Sequence, residues 1–454
     1  MSTTSIPRHV LSKSTFIRGC QCVKSLWLHK YQSSLRDEMS AAQAGIFSMG
    51  TNVGEVARGL FPGGLDASPI DAFHYQQSVA DTATYLAQGH TIIYEAAFQS
   101  NGVLAAIDIL VKQDEKWYAY EVKSSTQVKD TFLQDAALQY HVITGAGIAL
   151  KDIFLVHINN KYIKQGPLDI EQLFQKVSLK EDVLGLQNFI ETKTLELIEI
   201  IGLKQMPGIA IGDQCNSPYP CDFTGYCWKD EVEEDSEKEE EIINKKEIRD
   251  FLQELQYPLY FMDFETYMLA VPEYDGHWPY RQVPFQFSMH RQDIEGGNVK
   301  HDYFLAENDC NPCPQFVERL LACLGTKGSI IVYNKTFENC RLNELKNDYP
   351  EYVETITAIQ ARIIDLMVPF RKKFLYHPAM QGSYSIKKVL PALLPELSYN
   401  DLAISDGGNA SATFYNLRYE PDVKKVATNR KDLLQYCKLD TWAMVKLVEK
   451  MREI

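Results

Sequence analysis

Apolar and polar residues alternate with a period of two over Thr91–Phe98, Val103–Lys112 and Trp117–Lys123, which predicts three strands. Ser12–Tyr31 and Thr131–Gly145 instead repeat at helical spacing, and a further strand is expected at Asp152–Ile158. Strand-like runs resume at Leu259–Phe264, Pro284–Arg291, Lys300–Phe304 and Ser329–Tyr333, followed mainly by helical patterns. Alternation of this kind argues for α/β architecture in both halves. No internal repeat is visible.

Between the halves lies KDEVEEDSEKEEEIINKKE, Lys229 to Glu247, with no hydrophobic face until Ile242. It reads as a solvated linker that turns helical near its end, or else as a charged surface helix. At 454 residues the chain is too long for one ordinary core, so we divide it into domains at 1–229 and 250–454, with a linker at 230–249. The net charge is −14, but Asp230–Glu241 alone carries −8, leaving −6 for the rest. Bulk charge therefore says little against a polyanionic partner. No segment has the length and apolar character of a signal peptide or membrane span, so a soluble cytoplasmic protein is the expectation. In a reducing compartment the ten cysteines point to metal binding or core packing rather than disulfides.

The first candidate chemistry sits in GVLAAIDILVKQDEKWYAYEVKSS. If Asp114-Glu115 is the tip of a hairpin, residues whose numbers sum to 229 face one another, and Asp108 meets Glu121. Lys123 shares that face by the strand period. Two adjacent carboxylates call for a cation or a proton, and hard oxygen ligands favour Mg²⁺ or Mn²⁺. The same pattern also suits an exposed hairpin with a cross-strand acid pair.

D-(spacer)-EVK resembles the core of the PD-(D/E)XK nuclease superfamily, in its RecB-like branch, which includes the CRISPR-associated iron-sulfur exonucleases. The resemblance implies a restriction-endonuclease-like core, with Asp108 and Glu121 as metal ligands and Lys123 as the catalytic lysine. It adds Glu55 in MGTNVGEVAR and Glu95 in IIYEAAF as further acids, and Gln139 in DAALQYHV as an auxiliary residue. Gly54 stands where that family often has a histidine, and the usual tyrosine spacing after Gln139 is not kept. Cys22, with Cys215, Cys221 and Cys227 in QCNSPYPCDFTGYCW, resembles the four-thiolate arrangement of the same nucleases, implying a 4Fe-4S cluster that closes the domain across 193 residues. A zinc site and buried free thiols are the alternatives, and Cys20 could replace Cys22.

In the second half, PLYFMDFETY places Asp263 and Glu265 on one face of an apolar strand, with Met262 and Phe264 on the other. A buried DxE is costly unless metal or hydrogen bonds satisfy it. SIIVYNKTFENCRLNEL sets Glu338 near a helix start beside Asn334, and RKDLLQYCKLDTWAMVKL puts Tyr436 and Asp440 on one helix face. DxE, NxxFE and YxxxD together resemble the motifs of DnaQ-like, RNase H-fold exonucleases of the DEDDy subclass. That resemblance implies a mixed sheet with helices, metal binding by Asp263, Glu265, Glu338 and Asp440, and a water-positioning role for Tyr436. Glu338 stands where that family usually has aspartate. The whole half also resembles an uncharacterised domain that often follows RecB-like nucleases.

Asp365 lies between the motifs, and Lys372, Lys373, Lys387 and Lys388 are either phosphate contacts or ordinary surface lysines. Cys310 and Cys313 form a lone CxxC that reads as accidental. The expected function is a metal-dependent DNA nuclease with two centres, acting on single strands or duplex ends, the second with 3′ to 5′ polarity. An RNA-processing enzyme, or a nucleic-acid-binding or redox-responsive protein with one degenerate centre, remain alternatives.

Overall fold

A computed structural model describes residues 10–39, 41–71, 74–229 and 240–454. The chain forms two compact units, each α/β. The first comprises residues up to 39, 46–232 and 270–279; the second comprises 40–45, 233–269 and 280–454. The segment 270–279, expected within the second domain, thus belongs to the first unit. It is tied there by backbone bonds between Lys164 and both Gly276 and His277, and by the Lys164–Asp275 ion pair of 2.8 Å. Part of the expected linker, 230–239, lies outside the described residues. Its end forms the short strand Ile242–Ile243 and the helix Lys245–Gln253.

The first unit is built on seven strands: β1 (Leu11–Ser12), β2 (Leu65–Asp66), β3 (Ile92–Ser100), β4 (Val103–Gln113), β5 (Lys116–Lys123), β6 (Leu150–Ile158) and β7 (Phe174–Ser178). They run in the order β2-β3-β4-β5-β6-β7. β5 pairs with β4 only from Ile109 onward, which leaves Val103 and Leu104 to take β1 in parallel. Asp114 and Glu115 both have positive φ, the backbone of a two-residue hairpin turn, and the β4–β5 register sums to 229. The helix Asp130–Gly145 covers the sheet through Ala136, Ala137, Leu138, Val142 and Ile143, all buried.

The expected single helix Ser12–Tyr31 is two helices, Lys13–Gln21 and Val23–Tyr31, separated by an extended Cys22 (φ −158°, ψ 115°). Ser12 caps the first, exchanging hydrogen bonds with Thr15 in a capping box. This cap sits where β1 joins the sheet, so the first helical residue, Lys13, starts at a fixed point beside it.

The second unit has a five-stranded mixed sheet. With β8 as Ile242–Ile243, its strands are β9 (Leu259–Tyr267), β10 (Val283–Gln292), β11 (Val299–Leu305), β12 (Ile330–Val332) and β13 (Ile363–Asp365), in the order β11-β10-β9-β12-β13. β9 is antiparallel to β10 and parallel to β12, and almost wholly buried, which explains its near-continuous apolar run. β14 (Leu375–Tyr376) pairs with β8 in a separate ribbon. The 30-residue helix Val423–Arg452 packs across β9 and β10. Gln286 donates to the Leu433 carbonyl at 2.9 Å, and Ser288 bonds Thr441 at 2.7 Å, fixing the helix over the strands. No helix among the described residues is long and apolar enough to cross a membrane.

Candidate functional sites

In the first unit the acids stand in one row across three strands. The β3–β4 register flanks Glu95 and Asp108 on either side, and the β4–β5 register extended by one step sets Asp108 against Glu121. The ladder is open at this row. Glu95 has φ +52°, and the Val122 amide donates to the Asp108 carboxylate at 2.5 Å rather than to a carbonyl. Glu121 is buried, and its carboxylate is enclosed by partners. Lys123 reaches one oxygen at 2.6 Å and Lys13 the same oxygen at 2.9 Å, while Gln139 donates to the other at 2.5 Å and also to the Ala106 carbonyl at 2.8 Å. Asp135, one helical turn before Gln139, accepts from Lys123 at 2.7 Å and lies 3.7 Å from Lys13.

Charge compensation sorts these carboxyls. Burial would raise Glu121, but the ammonium groups of Lys123 and Lys13 outweigh it and hold it well below the usual range. Burial and then Glu121 push Asp108 well above that range, and the same two causes raise Glu95. Burial would lower Lys123, yet Glu121 and Asp135 raise it. Glu95 also lies 3.8 Å from Arg58. Glu55 is exposed on the helix Ala41–Ala57, and among the described residues no hydrogen bond or ion pair joins it to this group. Lys13, 108 residues from Glu121, left no local signal in the sequence. Asp135 did, as an acid four positions before Gln139 on the same helix face.

Cys22, Cys215, Cys221 and Cys227 line one pocket. Cys22 arrives at the helix break, Cys215 ends a short turn, and the Cys221 amide returns to the Cys215 carbonyl at 2.8 Å. Arg18 forks onto Asp222 at 2.5 and 2.9 Å, and Gln21 donates to the Gln214 and Tyr219 carbonyls at 2.8 and 2.7 Å, tying the two distant segments together. Cys20 instead packs against the main core, where burial raises its thiol to about 11. All four pocket thiols are free. Around one tetrahedral zinc, thiolate sulfurs would lie about 3.8 Å apart, given 2.3 Å bonds. Among the described residues the set of three or more ligand atoms within 4.8 Å of one another is Asp263, Glu265 and Cys437, so these four thiols are more widely spread.

That second set lies in the second unit. Asp263 and Glu265 lie opposite Ser288 and Gln286 of β10. The buried Cys437 on the long helix donates to Asp263 Oδ2 at 3.7 Å. Asp440 accepts from the Tyr399 hydroxyl at 2.7 Å. Glu338, in the first turn of the helix Lys335–Asp348, is buried and leaves Oε2 without a hydrogen-bond partner. Asn334 acts through its backbone: it is left-handed (φ 88°), and its amide donates to Asp365 at 3.1 Å. The Tyr436 ring is buried, edge-on to Tyr399.

Here Asp263, Glu265, Glu338 and Asp440 all move upward. Burial, then Asp440, raises Asp263; burial, then Asp263, raises Glu265 and Glu338. Burial lifts Asp440 to about 6 against the opposing effects of Tyr399 and Lys387. Lys387 is half-buried, its ammonium 5.7 and 5.3 Å from the Tyr399 and Tyr436 rings. Of the four lysines singled out in the sequence, it alone joins the acids; Lys372, Lys373 and Lys388 are exposed. Cys313 is core and Cys310 exposed, as expected of an accidental CxxC. Cys437 was missed, although it stands three residues before Asp440 on a helix already singled out.

The chain thus carries two carboxylate-rich sites, each built on an α/β sheet. A family described as a domain of unknown function (DUF2779) matches residues 260–385, a span that includes Asp263, Glu265, Glu338 and Asp365. Uncharacterized protein UU173 of Ureaplasma parvum serovar 3 is 25% identical over 230 residues, which cover 43% of this chain and 31% of that protein. The MG366 homolog of Mycoplasma pneumoniae, also named as uncharacterized, is 28% identical over 221 residues, covering 43% and 32%. The chain therefore aligns with about a third of each relative's length.

Proposed function

We propose that this protein is a metal-dependent nuclease with two phosphodiester-hydrolysing centres. The observation that carries the reading is the second site: buried Glu265, Glu338 and Asp440 and half-buried Asp263 act on one another, with Lys387 as the lysine partner of Asp263, Glu265 and Asp440. Two carboxylates 4 Å apart repel by about 4 kcal/mol at an effective dielectric near 20, so such a group favours a divalent cation or protons. Asp263 and Glu265 would hold Mg²⁺ or Mn²⁺, with Glu338 and Asp440 completing the set. When bound, the cation offsets phosphate charge and acidifies water. Tyr399 donates to the Asp440 carboxylate, and Lys387 would meet a phosphate oxygen. The DxE, NxxFE and YxxxD motifs support a DnaQ-like, RNase H-fold exonuclease with 3′ to 5′ polarity.

In the first unit, the open row of Glu95, Asp108 and Glu121, with Lys123 and Gln139, supports a PD-(D/E)XK centre. The four-thiol pocket supports a 4Fe-4S cluster as structural closure, its thiols being spread wider than one zinc ion needs. Anaerobically purified protein should then absorb in the visible, and Cys22→Ser should lose the colour while Cys20→Ser keeps it; colourless protein with bound zinc would defeat the assignment. DNA is the preferred substrate class. The test is end-labelled single- and double-stranded DNA and RNA, incubated with Mg²⁺ or Mn²⁺, using wild type, Lys123→Ala and Asp263→Ala. If neither variant changes metal-dependent degradation, both catalytic assignments fail. A second reading, in which the first centre only binds nucleic acid, is favoured by Lys13, whose ammonium already sits on Glu121.

A further inference from the structure

We infer that Cys437 is a protein ligand of the second centre and makes it a site for thiophilic divalent cations of the Zn²⁺, Cd²⁺ and Co²⁺ class. The inference rests on reading that centre as a cation site and adds a second class of cation to the Mg²⁺ or Mn²⁺ it would hold. Cys437 Sγ lies within 4.8 Å of ligand oxygens of both Asp263 and Glu265, a closer convergence than any three acids in the chain achieve among the described residues. Its sulfur points at Asp263, 3.7 Å from Oδ2 and 4.0 Å from the main-chain carbonyl. An independent observation marks the same place. The Glu338 Oε2 atom is buried without a hydrogen-bond partner, and Asp263 is the charged group acting on it most strongly. A buried carboxyl oxygen in that state is ligand capacity not yet used.

Donor chemistry decides the class. Mg²⁺ takes oxygen ligands in a near-octahedral shell and gains nothing from sulfur, whereas a thiolate beside two carboxylates suits zinc-like ions. On binding, the Cys437 thiol gives its proton to solvent as the metal–sulfur bond forms, and no electrons are transferred. The helix fixes the sulfur: Thr441, one turn on, is bonded to Ser288 of β10, and the Leu433 carbonyl, one turn before, accepts from Gln286. The thiol is therefore set against β9 by two side-chain ties rather than left free to swing.

Titration of the full chain with Co²⁺ tests this, read by the near-ultraviolet charge transfer from thiolate to cobalt. The wild type should show a saturable component that Cys437→Ser abolishes and Asp263→Asn weakens. Lys123→Ala should retain it, and signals from the Cys22, Cys215, Cys221 and Cys227 pocket should persist in Cys437→Ser. Zn²⁺ affinity should fall by at least about a hundredfold in Cys437→Ser, since a direct ligand is lost and outer-shell losses alone reach that size, while Mg²⁺ affinity stays put. Should that variant not fold, ¹¹³Cd resonance on the wild type serves instead. A signal in the mixed sulfur–oxygen range is expected, apart from any four-sulfur signal. Identical cobalt spectra in wild type and Cys437→Ser, or an all-oxygen cadmium signal, overturns the inference. Nuclease activity is read separately: Mg²⁺-dependent cleavage without the sulfur signal sinks this inference alone, and the sulfur signal without cleavage sinks the nuclease reading alone.

Discussion

Both sites gather carboxylates on a sheet, but they balance the charge differently. Glu121 is held ionised by protein cations: Lys13 and Lys123 share one oxygen and Gln139 holds the other, so its companions Asp108 and Glu95 are the groups pushed toward the protonated form. In the second site Asp263, Glu265, Glu338 and Asp440 all shift upward, Lys387 opposing this for Asp263, Glu265 and Asp440 without overcoming burial, and a buried thiol faces Asp263. Acids on a strand therefore do not define a single kind of site. What separates the two is whether the fold's own cations outweigh burial, as Lys13 and Lys123 do for Glu121 and Lys387 does not for Asp263, Glu265 and Asp440.

The largest expected effect breaks the tie between the centres as catalysts. A site whose lysine, Lys387, does not overcome burial has the stronger demand for a metal ion, and one with Lys13 and Lys123 across its glutamate has the weaker. Asp263→Asn should remove most Mg²⁺-dependent cleavage of end-labelled DNA, about a thousandfold at that centre, comparable to deleting a major charge-stabilising group. Lys123→Ala should remove the smaller remainder. Equal losses, or the reverse order, would dissolve the contrast.

The next effect is on stability in metal-free protein. Glu121→Gln leaves Lys13 and Lys123 with Asp135 as their remaining ion-pair partner among the described residues and should destabilise the first unit by about 3 kcal/mol. Asp263→Asn removes repulsion and should leave the second unit unchanged or more stable by about 1 kcal/mol. Hydrogen exchange in EDTA, read unit by unit, separates the two, and a loss of stability in both would show that Asp263 is compensated after all.

The sequence carried much of this. Strand and helix positions in both units followed from periodicity, and the register of β4 against β5 followed from a two-residue turn at Asp114-Glu115. The Tyr436/Asp440 face was legible because helical spacing puts the two on one side, whereas Gln139 came only from the resemblance of its segment to the nuclease family. What stayed hidden was whatever depends on distant chain: Lys13 reaching Glu121, Tyr399 reaching Asp440, and Lys387 joining the acids rather than the surface. Glu55 is exposed on its helix, and a motif position fixes where a residue falls in the chain and not which way its helix turns. The break at Cys22 was invisible because Val23–Tyr31 continues the helical pattern after one extended residue.

The smallest effect is in pH, and its signs oppose. The Asp440 pKa is near 6 in the folded chain against 3.8 ordinarily, so the folded state binds the extra proton. Its stability contribution is therefore complete near pH 4 and lost as pH rises toward 7, on the order of 2 kcal/mol without metal. Glu121, held low, behaves the other way: its contribution is present above its ordinary pKa of 4.5 and is lost only as pH falls through the lower folded value. Comparing wild type with Asp440→Asn, and separately with Glu121→Gln, isolates each group from its neighbours. In EDTA, the Asp440→Asn difference should change between pH 4 and 7, favouring the variant at the upper end. The Glu121→Gln cost should stay constant from pH 5 to 7 and shrink only in stronger acid. If both differences drift in the same direction, the two sites share one mode of charge compensation, and saturating Mg²⁺ should then stabilise both units alike rather than the second alone.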